Sequence, residues 1–422
     1  MTVEADLAAA AAGTCEACGS EALAWGVVID GKLVMSGGVG ATAHTVFRIA
    51  SMTKSFTAAT VLALRDAGRL RLDDELPLLA GARATADSPA VTYRHALSMD
   101  SGLAGDDPWA DRHMDMTPAA IARLVADGVV FAVPTGTAFE YSNLGYVLLG
   151  DLSAATTELL LHPLQLGRTT WVQPDHDDWV APPGGERPIG HGAFAGMGGL
   201  WSCVADLARW VAWLDDAFPP RDDPDDGPVC RASRREMQQI HRAEGRDGGY
   251  GFGLRVLYDD RFGSIVSHSG GLPGYGSNMR WLPGRRVGVI ALANATYAPM
   301  GALAQELLGI LDDHDLVPPP APVAVATALR QAAEALVALL GAWDDDAADR
   351  LFADNVALDQ PYPALAAAAA ELVAAHGPLR VGRLDAITAT KGTLTVADGV
   401  TIELSLTPLR DGRIQQYAIK VG

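Results

Sequence analysis

The chain has 422 residues, 32 Lys and Arg against 51 Asp and Glu, and a formal net charge of −19. Its 49% hydrophobic residues can build a large core, which excludes wholesale disorder, and its length predicts two or three domains. The acidity argues against nucleic-acid binding and against a polybasic membrane anchor, because both need clustered Lys and Arg. The composition therefore predicts a globular protein with neither nucleic-acid nor membrane partners.

The N-terminal segment has acids at Glu4 and Asp6, no basic region and only a short alanine run, so it lacks the features of an export signal. No stretch reaches the roughly 20 unbroken apolar residues that cross a bilayer. The sequence thus predicts a cytoplasmic protein. Its four cysteines are too sparse for a disulfide framework, and the neighbours of Cys15 and Cys18, spaced C-x-x-C, supply no further zinc ligands.

The first elements in chain order are two apolar runs, 25–29 and 32–36, on either side of Asp30-Gly31, a dipeptide typical of a tight hairpin turn. From Ser51 to Gly68 apolar residues recur at helical spacing, and the middle of the chain reads as helix and loop. Alternating patterns then predict four strands, at 253–257, 265–268, 278–282 and 287–292. Strands at both ends predict one domain whose sheet is completed by distant segments.

The run V-P-P-P-A-P at 317–322 predicts a stiff linker, because consecutive prolines favour an extended conformation. It separates a domain at 1–316 from one at 323–422. The second region reads as helices followed by strands: 323–340, 364–375, 380–390, 393–396, 400–407 and 413–420. This small α+β domain resembles the nuclear-transport-factor-2-like cone, chiefly at 351–356. It could cap the active site, mediate a homodimer or brace the first domain.

Lys54 stands out because the chain has only four lysines and this one follows Ser51 by three residues. On a helix this spacing brings both side chains to one face, and a lysine whose pKa is lowered by burial can take the proton of a serine hydroxyl. At the helix N-terminus the N–H of Ser51 would be available to an oxyanion. The alternative interpretation is an N-cap serine followed by a solvated lysine.

Two further motifs add to this pair. Tyr141 can relay a proton, and Asn143 can hydrogen-bond both a lysine and a substrate amide. The run His268-Ser269-Gly270-Gly271 ends an apolar strand, whose edge can align a substrate and offer the N–H of Gly271 to an oxyanion. A single histidine at the end of a strand more often has a structural role.

In this order the three motifs resemble those of the serine β-lactamase and penicillin-binding protein family: S-x-x-K, Y-x-N or S-x-N, and K-T-G. Segments 47–54, 69–74, 95–103 and 196–202 are similar to its class C β-lactamase and D-alanyl-D-alanine carboxypeptidase branch, and the resemblance covers roughly residues 20–312. It implies an α/β (α+β) fold, with an antiparallel sheet flanked by helices and a helical insertion.

The resemblance also implies roles for the individual residues. Ser51 would be the acylated nucleophile, Lys54 its base, Tyr141 the proton relay and Asn143 the orienting residue. The amides of Ser51 and Gly271 would form the oxyanion hole, next to His268 and to substrate contacts at Ser269 and Gly270.

Two departures from the family pattern bear on activity. The third motif reads H-S-G, so His268, near-neutral at pH 7, replaces a fixed cation. This argues against efficient β-lactamase activity, and family members with histidine here include D-peptidases, D-aminopeptidases and esterases. The chain also looks shorter than its relatives around 151–159 and 180–185.

These residues predict a serine hydrolase that forms an acyl-enzyme with a small-molecule ester, an amide or a short peptide, as an esterase, D-aminopeptidase or D-alanyl-D-alanine carboxypeptidase does. No metal or other cofactor is expected: Asp175-His176-Asp177-Asp178 reads as a solvated loop and His191 as structural. One alternative is an acyltransferase or peptide cyclase of secondary metabolism that uses the same serine. The other is a catalytically silent binding or sensor protein.

Overall fold

The structure is a computed structural model that describes residues 2–175, 178–185, 190–225 and 227–422. The chain forms two compact units, Met1–Pro319 and Pro320–Gly422. Among the described residues, no helix combines the length and apolar character needed to cross a bilayer.

An antiparallel sheet forms the centre of the first unit. In the described chain its eight strands follow the order β2-β1-β10-β9-β8-β7-β6-β5. The strands of this unit, including the separate β3–β4 ribbon, are β1 (Leu23–Ile29), β2 (Lys32–Val39), β3 (Phe47–Arg48), β4 (Trp201–Ser202), β5 (Arg242–Ala243), β6 (Gly248–Tyr250), β7 (Arg255–Asp259), β8 (Gly263–Leu272), β9 (Tyr275–Leu282) and β10 (Val287–Ala293). Because β1 pairs with β10 along its whole length, the sheet is completed by distant segments, as predicted.

Helices cover both faces of this sheet and fill the segment between its first and later strands. They are α1 (Val3–Ala17), α2 (Thr53–Asp66), α3 (Tyr93–Leu97), α4 (Asp107–Ala110), α5 (Pro118–Asp127), α6 (Asn143–Val147), α7 (Ser153–Thr156), α8 (Ala195–Gly198), α9 (Val204–Asp215), α10 (Arg231–Met237) and α11 (Met300–Asp313). The predicted sheet, flanking helices and helical insertion are confirmed.

The pleat of β10 shows how the two faces of the sheet are buried. Val289 and Ala291 pack into one apolar core with α1 and α11, whereas Ile290 and Leu292 pack into a second core with α2 and α9. Because α2 lies inside this second core, its residues from 53 to 64 are all buried. The helix that follows Ser51 is therefore held on every side.

Helix α1 is a feature that the sequence pattern did not predict. It packs on α11, and the carboxylate of Asp6 lies 2.8 Å from Nε2 of His314, just after the end of α11. The beginning and the end of the first unit therefore lie side by side.

In the second unit, helices precede a four-stranded antiparallel sheet. They are α12 (Thr327–Gly341), α13 (Asp345–Leu351), α14 (Asp354–Asp359) and α15 (Tyr362–His376), followed by β11 (Leu384–Thr388), β12 (Lys391–Ala397), β13 (Val400–Leu406) and β14 (Ile414–Val421), paired in that order. Leu336, Phe352 and Ile402 belong to its separate apolar core. The linker limits and the nuclear-transport-factor-2-like resemblance stay predictions.

Candidate active site

Ser51 lies in a 3-10 turn, Ala50–Met52, that leads directly into α2. Ala50 has φ +48°, a left-handed conformation that costs a residue with a Cβ about 1–2 kcal/mol. Strain of this kind persists only where the surroundings hold it, and it is frequent at functional sites. Ser51 is 8% exposed and lines a cleft of ≈ 560 Å³.

Strand β8 passes close beside this turn at Gly270. A Cβ added to Gly270 would lie 2.2 Å from the carbonyl oxygen of Ile49 and 3.0 Å from the Cβ of Ala50. From β9, the hydroxyl of Ser277 donates to the same Ile49 carbonyl at 2.7 Å. The close approach of β8 to the Ser51 turn therefore requires glycine at position 270.

Lys54 is fully buried, with its ammonium next to the Ser51 hydroxyl. Its Nζ is 2.9 Å from Oγ of Ser51, 2.7 Å from Oδ1 of Asn143 and 2.8 Å from the carbonyl oxygen of Met197 in α8. Three acceptors match the three protons of a charged ammonium. The helical spacing thus brings Ser51 and Lys54 together, as predicted, and Asn143 completes the group.

Burial lowers the pKa of Lys54 from its usual value to about 8, against the opposing effect of the carboxylates of Asp107, Asp111 and Asp106. A lysine with this pKa is neutral in about one-tenth of the molecules at pH 7 and in half of them at pH 8. It can therefore accept a proton in the neutral range, as a general base must.

Asn143 is held from two sides by acidic residues that the sequence reasoning missed. Asp106 accepts the backbone N–H groups of Asn143 and Leu144 at 2.7 and 2.8 Å. Asp107 accepts the side-chain Nδ2 of Asn143 at 2.6 Å, which leaves Oδ1 pointing to Lys54. These two bonds fix the orientation of the carboxamide.

Tyr141 also lines the cleft, and the centre of its ring is 5.1 Å from Nζ of Lys54. Burial, aided by Tyr250 and Asp107, raises its pKa well above the usual value, whereas a hydrogen bond with Ser51 acts in the opposite direction. The phenol is therefore protonated at neutral pH and can donate a proton.

His268 is only 2% exposed, and both of its ring nitrogens are engaged. Nδ1 lies 2.6 Å from the carbonyl oxygen of Ser269, which can only accept, so this nitrogen carries the proton. Nε2 then accepts the hydroxyl of Tyr250 at 2.8 Å. Burial, with a contribution from Lys54, lowers the pKa of His268 to about 3. The imidazole is therefore neutral at pH 7.

The edge of β8 is open beside the cleft. Strand β7 pairs with β8 only as far as Arg255 and Ser267, so residues 268–272 have no strand partner on that side within the described chain. His268, Ser269, Gly270 and Gly271 all line the cleft, next to Ser51 and Tyr141. A substrate backbone could lie along such an edge.

Charges of both signs line the cleft. Arg255 binds Glu244 at 2.6 Å, whereas buried Arg280 donates to Gln305 and has no ion pair in the part of the chain described. Asp107 and Asp111 also line the cleft, and burial raises the pKa of Asp111 to about 6. The cleft can therefore accept polar groups of opposite charge.

Other candidate residues lie outside this site. His191 does not line the cleft, and its ring is 6.4 Å from that of Trp171. His176 and Asp177 fall outside the described residues; Asp178 accepts hydrogen bonds from Thr45 and Arg168. No group of three or more His, Cys, Asp or Glu residues in the described ranges has the arrangement of a metal site.

The residues that the sequence reasoning missed are Asp106, Asp107, Asp111, Tyr250 and Tyr297. Asp106 and Asp107 follow shortly after segment 95–103, which resembles the family. The only local signal for a functional role is that this acidic pair stands just before a proline. Tyr250 and Tyr297 carry no recognisable motif, because their partners lie 18 and 186 positions away.

Comparison with known proteins shows which family and relatives this chain resembles. A family model described as Beta-lactamase matches residues 7–311. The chain is 29% identical over 300 residues to a D-aminopeptidase of Gluconobacter oxydans (strain 621H), covering 64% of this chain and 53% of that protein. It is 28% identical over 339 residues to Penicillin-binding protein 4 of Amycolatopsis lactamdurans, covering 70% of this chain and 87% of that protein. The chain thus spans only about half the length of the D-aminopeptidase.

Among solved structures, the chain is similar to the octameric penicillin-binding protein homologue from Pyrococcus abyssi. The TM-score is 0.62 with 18% sequence identity, and the match covers 99% of this chain and 96% of the other. At this identity the likeness shows the fold alone.

Proposed function

Since the chain belongs to the Beta-lactamase family, we propose that it is a serine hydrolase that forms an acyl-enzyme at Ser51 with an ester or an amide. The observation that carries this proposal is the 2.9 Å contact between Oγ of Ser51 and Nζ of fully buried Lys54. A serine next to a solvated lysine would lack the lowered pKa that a base needs. The N-cap interpretation of the motif therefore receives no support from this contact.

In the first step, neutral Lys54 takes the proton of the Ser51 hydroxyl while Oγ attacks the substrate carbonyl. The backbone amides of Ser51 and Gly271 are the proposed donors to the oxyanion. This assignment is supported by the close approach of β8, at Gly270, to the 3-10 turn that carries Ser51. The predicted contacts of Ser269 and Gly270 with substrate follow from their place on the open edge of β8.

In the second step, the leaving group departs with a proton supplied by Tyr141, which is protonated at neutral pH. Lys54, which carries the proton of Ser51 after the first step, passes a proton to Tyr141 and so replaces the one that Tyr141 gave to the leaving group. In net terms, the proton of Ser51 ends on the leaving group. Water then attacks the acyl carbonyl and gives up a proton to Lys54 and Tyr141, and this proton passes to Oγ as the bond from Ser51 to the acyl group breaks. The hydrogen bond from Lys54 to Asn143 holds the ammonium in position throughout. His268 accepts a hydrogen bond from Tyr250 and stays neutral.

The proposed substrates are small amides, esters and short peptides, with D-amino-acid substrates first because a relative is named D-aminopeptidase. Charges of both signs in the cleft support a short peptide with a free amine and a free carboxylate. A homo-oligomer is also proposed, in line with the predicted homodimer, since a structural relative is described as octameric.

The test is the intact mass of the protein after treatment with a fluorophosphonate and, separately, with a penicillin. We expect one adduct in the wild type, none in Ser51→Ala, and an unchanged adduct in Ser267→Ala, a matched serine that also lines the cleft. If wild-type protein forms no adduct with either reagent, the silent binding protein becomes the better interpretation.

A substrate panel then separates the proposed activities. D-alanine p-nitroanilide, its N-acetyl derivative, N-acetyl-D-alanyl-D-alanine and a p-nitrophenyl ester report aminopeptidase, amidase, carboxypeptidase and esterase reactions in turn. Product analysis with an added amine would detect acyl transfer instead of hydrolysis.

A further inference from the structure

A hydrogen bond joins two residues that line the cleft and come from distant segments of the chain. Oη of Tyr297 donates to Oδ2 of Asp111 at 3.0 Å, and both residues line the cleft. Asp111 directly follows α4, whereas Tyr297 lies in the segment between β10 and α11. The bond thus connects two segments of the cleft lining that are 186 residues apart in sequence. We call this contact the Tyr297–Asp111 bridge.

The backbone of Tyr297 is held in a conformation that residues with a Cβ avoid. Its φ is +52°. Its N–H donates to the carbonyl oxygen of Leu272 at 3.4 Å, and Oγ1 of the preceding Thr296 accepts the N–H of Gly274 at 2.9 Å. Strained residues that the surroundings hold in this way are concentrated at functional sites. These hydrogen bonds fix the backbone of Tyr297 and therefore the position from which its side chain extends.

The ring of Tyr297 packs on β8 at Gly271, one of the residues of the open edge that line the cleft. A Cβ added to Gly271 would lie 2.7 Å from Cδ1 of Tyr297, so the ring is packed directly against this residue. Beyond it, Gly274 lies against Pro182, where an added Cβ would be 2.6 Å from the Cβ of the proline. Tyr297 and Pro182 thus pack against the end of β8 that lies beside the cleft.

Opening the bridge would be costly because of the burial of Asp111. Tyr297 is 48% exposed, but Asp111 is only 4% exposed, and the tyrosine is the hydrogen-bond donor to its Oδ2. A buried carboxylate that loses its donor pays the desolvation cost of an unsatisfied charge. A bulky substrate could not displace the phenol without leaving Asp111 in that state.

We propose that the Tyr297–Asp111 bridge closes one end of the cleft and limits the enzyme to substrates that carry only a short group on that side of the cleaved bond. This inference rests on the proposed function and deepens it by naming the substrate class. Small esters and the terminal residues of short peptides fit, whereas bonds inside a long chain do not. The cleft volume of ≈ 560 Å³ lies within the range of small-molecule sites.

The test compares Tyr297→Gly with the wild type on two substrate series, one lengthened on the acyl side and one on the leaving-group side. Glycine adopts a left-handed φ without strain, so this variant keeps the local backbone. We expect the ratio of kcat/KM for the longest to the shortest substrate to rise by about tenfold or more in one series. Tyr297→Phe, which keeps the ring but loses the hydroxyl, should give a smaller rise.

Tyr258→Gly is the matched control, because Tyr258 is 61% exposed on β7 and does not line the cleft. It should leave both ratios unchanged. If Tyr297→Gly is folded and acylated at Ser51 but keeps the wild-type ratios, or if the wild type accepts long and short substrates equally, the bridge does not select by length. Failure of the wild type to be acylated at Ser51 would instead overturn the proposed function and this inference with it.

Discussion

The carboxylate of Asp106 accepts the backbone N–H of Asn143 at 2.7 Å, and Asn143 in turn accepts Nζ of Lys54 at 2.7 Å. Asp106 also accepts the N–H of Leu144, so one carboxylate satisfies two donors in the first turn of α6. Asp106 thus fixes the start of the helix that carries Asn143. Through that residue it positions the proposed base without touching it.

Replacing Asp106 with alanine should therefore lower both stability and activity. Loss of a carboxylate that satisfies N-terminal helix donors costs about 1–2 kcal/mol of the free energy of unfolding. We expect Ser51 acylation by a fluorophosphonate to slow by about tenfold, an effect of about 1.4 kcal/mol on the barrier. Asp106→Asn, whose side chain keeps one acceptor oxygen, should recover part of the rate. Asp127→Ala, at an exposed acid that ends α5, serves as the control; a normal rate in Asp106→Ala would refute the positioning role.

The pH dependence of acylation should report the titration of Lys54. With a pKa of about 8 lowered by burial, the neutral fraction of the lysine rises about tenfold between pH 7 and pH 9 and then levels off. Stopped-flow acylation at saturating reagent should follow that curve in the wild type.

Lys54→Arg provides the matched comparison, because arginine keeps the charge but does not lose its proton in this range. Its acylation should be slower by at least about a hundredfold, within the range attributed to general-base catalysis. A wild-type rate that stays flat from pH 6 to pH 9 would mean that Lys54 is not the base.

Alanine at position 270 should displace the nucleophile. Its Cβ would lie 2.2 Å from the carbonyl oxygen of Ile49 and 2.4 Å from Oγ of Ser277, so the backbone around Ser51 must move. Overpacking of this kind costs about 1–3 kcal/mol. We expect Gly270→Ala to lose most Ser51 labelling while remaining folded by circular dichroism.

The control for this steric argument is Gly167→Ala, since a Cβ at Gly167 has no atom within 4 Å. That variant should label normally and unfold at the wild-type temperature. Normal labelling of Gly270→Ala would show that the turn tolerates the shift and that contact with β8 does not set the geometry of Ser51.

His268 should make the first unit less stable in acid. Its pKa is about 3 in the folded protein and near 6.5 when unfolded, so between these values the unfolded chain binds one more proton. Its contribution to stability is therefore complete above pH 6.5 and falls by about 1.4 kcal/mol for each unit that the pH drops below it. His268→Asn, which cannot titrate, should show a correspondingly shallower loss of stability between pH 6 and pH 4.

Tryptophan fluorescence during urea unfolding suits this measurement, because only Trp343 of the nine tryptophans lies outside the first unit. His162→Asn, at an exposed histidine, should keep the wild-type pH dependence. Equal slopes for the wild type and His268→Asn would contradict the lowered pKa.

Local signals explain what the sequence predicted correctly. Asp30 and Gly31 adopt φ values of +50° and +74° in a two-residue turn, which is why that dipeptide located the hairpin. The three-residue spacing of Ser51 and Lys54 sufficed because one helical turn determines their contact. The four long strands from 255 to 293 alternate between two cores, so their pattern was visible, although their ends differ by up to four residues.

What the sequence did not predict depends on contacts between distant segments. Helix α1 has apolar alanines on all sides and so gave no helical period, yet burial of Leu7, Ala11 and Cys15 against α11 stabilises it. Strands β5 and β6 are two and three residues long, too short for any alternation. Asp106 became relevant only because the fold brings α6 next to it, and nothing around either residue encodes that approach.

The pairing of Asp6 with His314 at 2.8 Å means that the segments of the first unit could follow one another in a different order along the sequence. Because the two ends of the first unit adjoin, a short linker could join them and new ends could be opened at an exposed turn elsewhere. Such a circular permutant would keep every strand neighbour of the central sheet. The connectivity of the first unit is therefore separable from its architecture, and the active-site residues would meet equally well in a chain that started elsewhere.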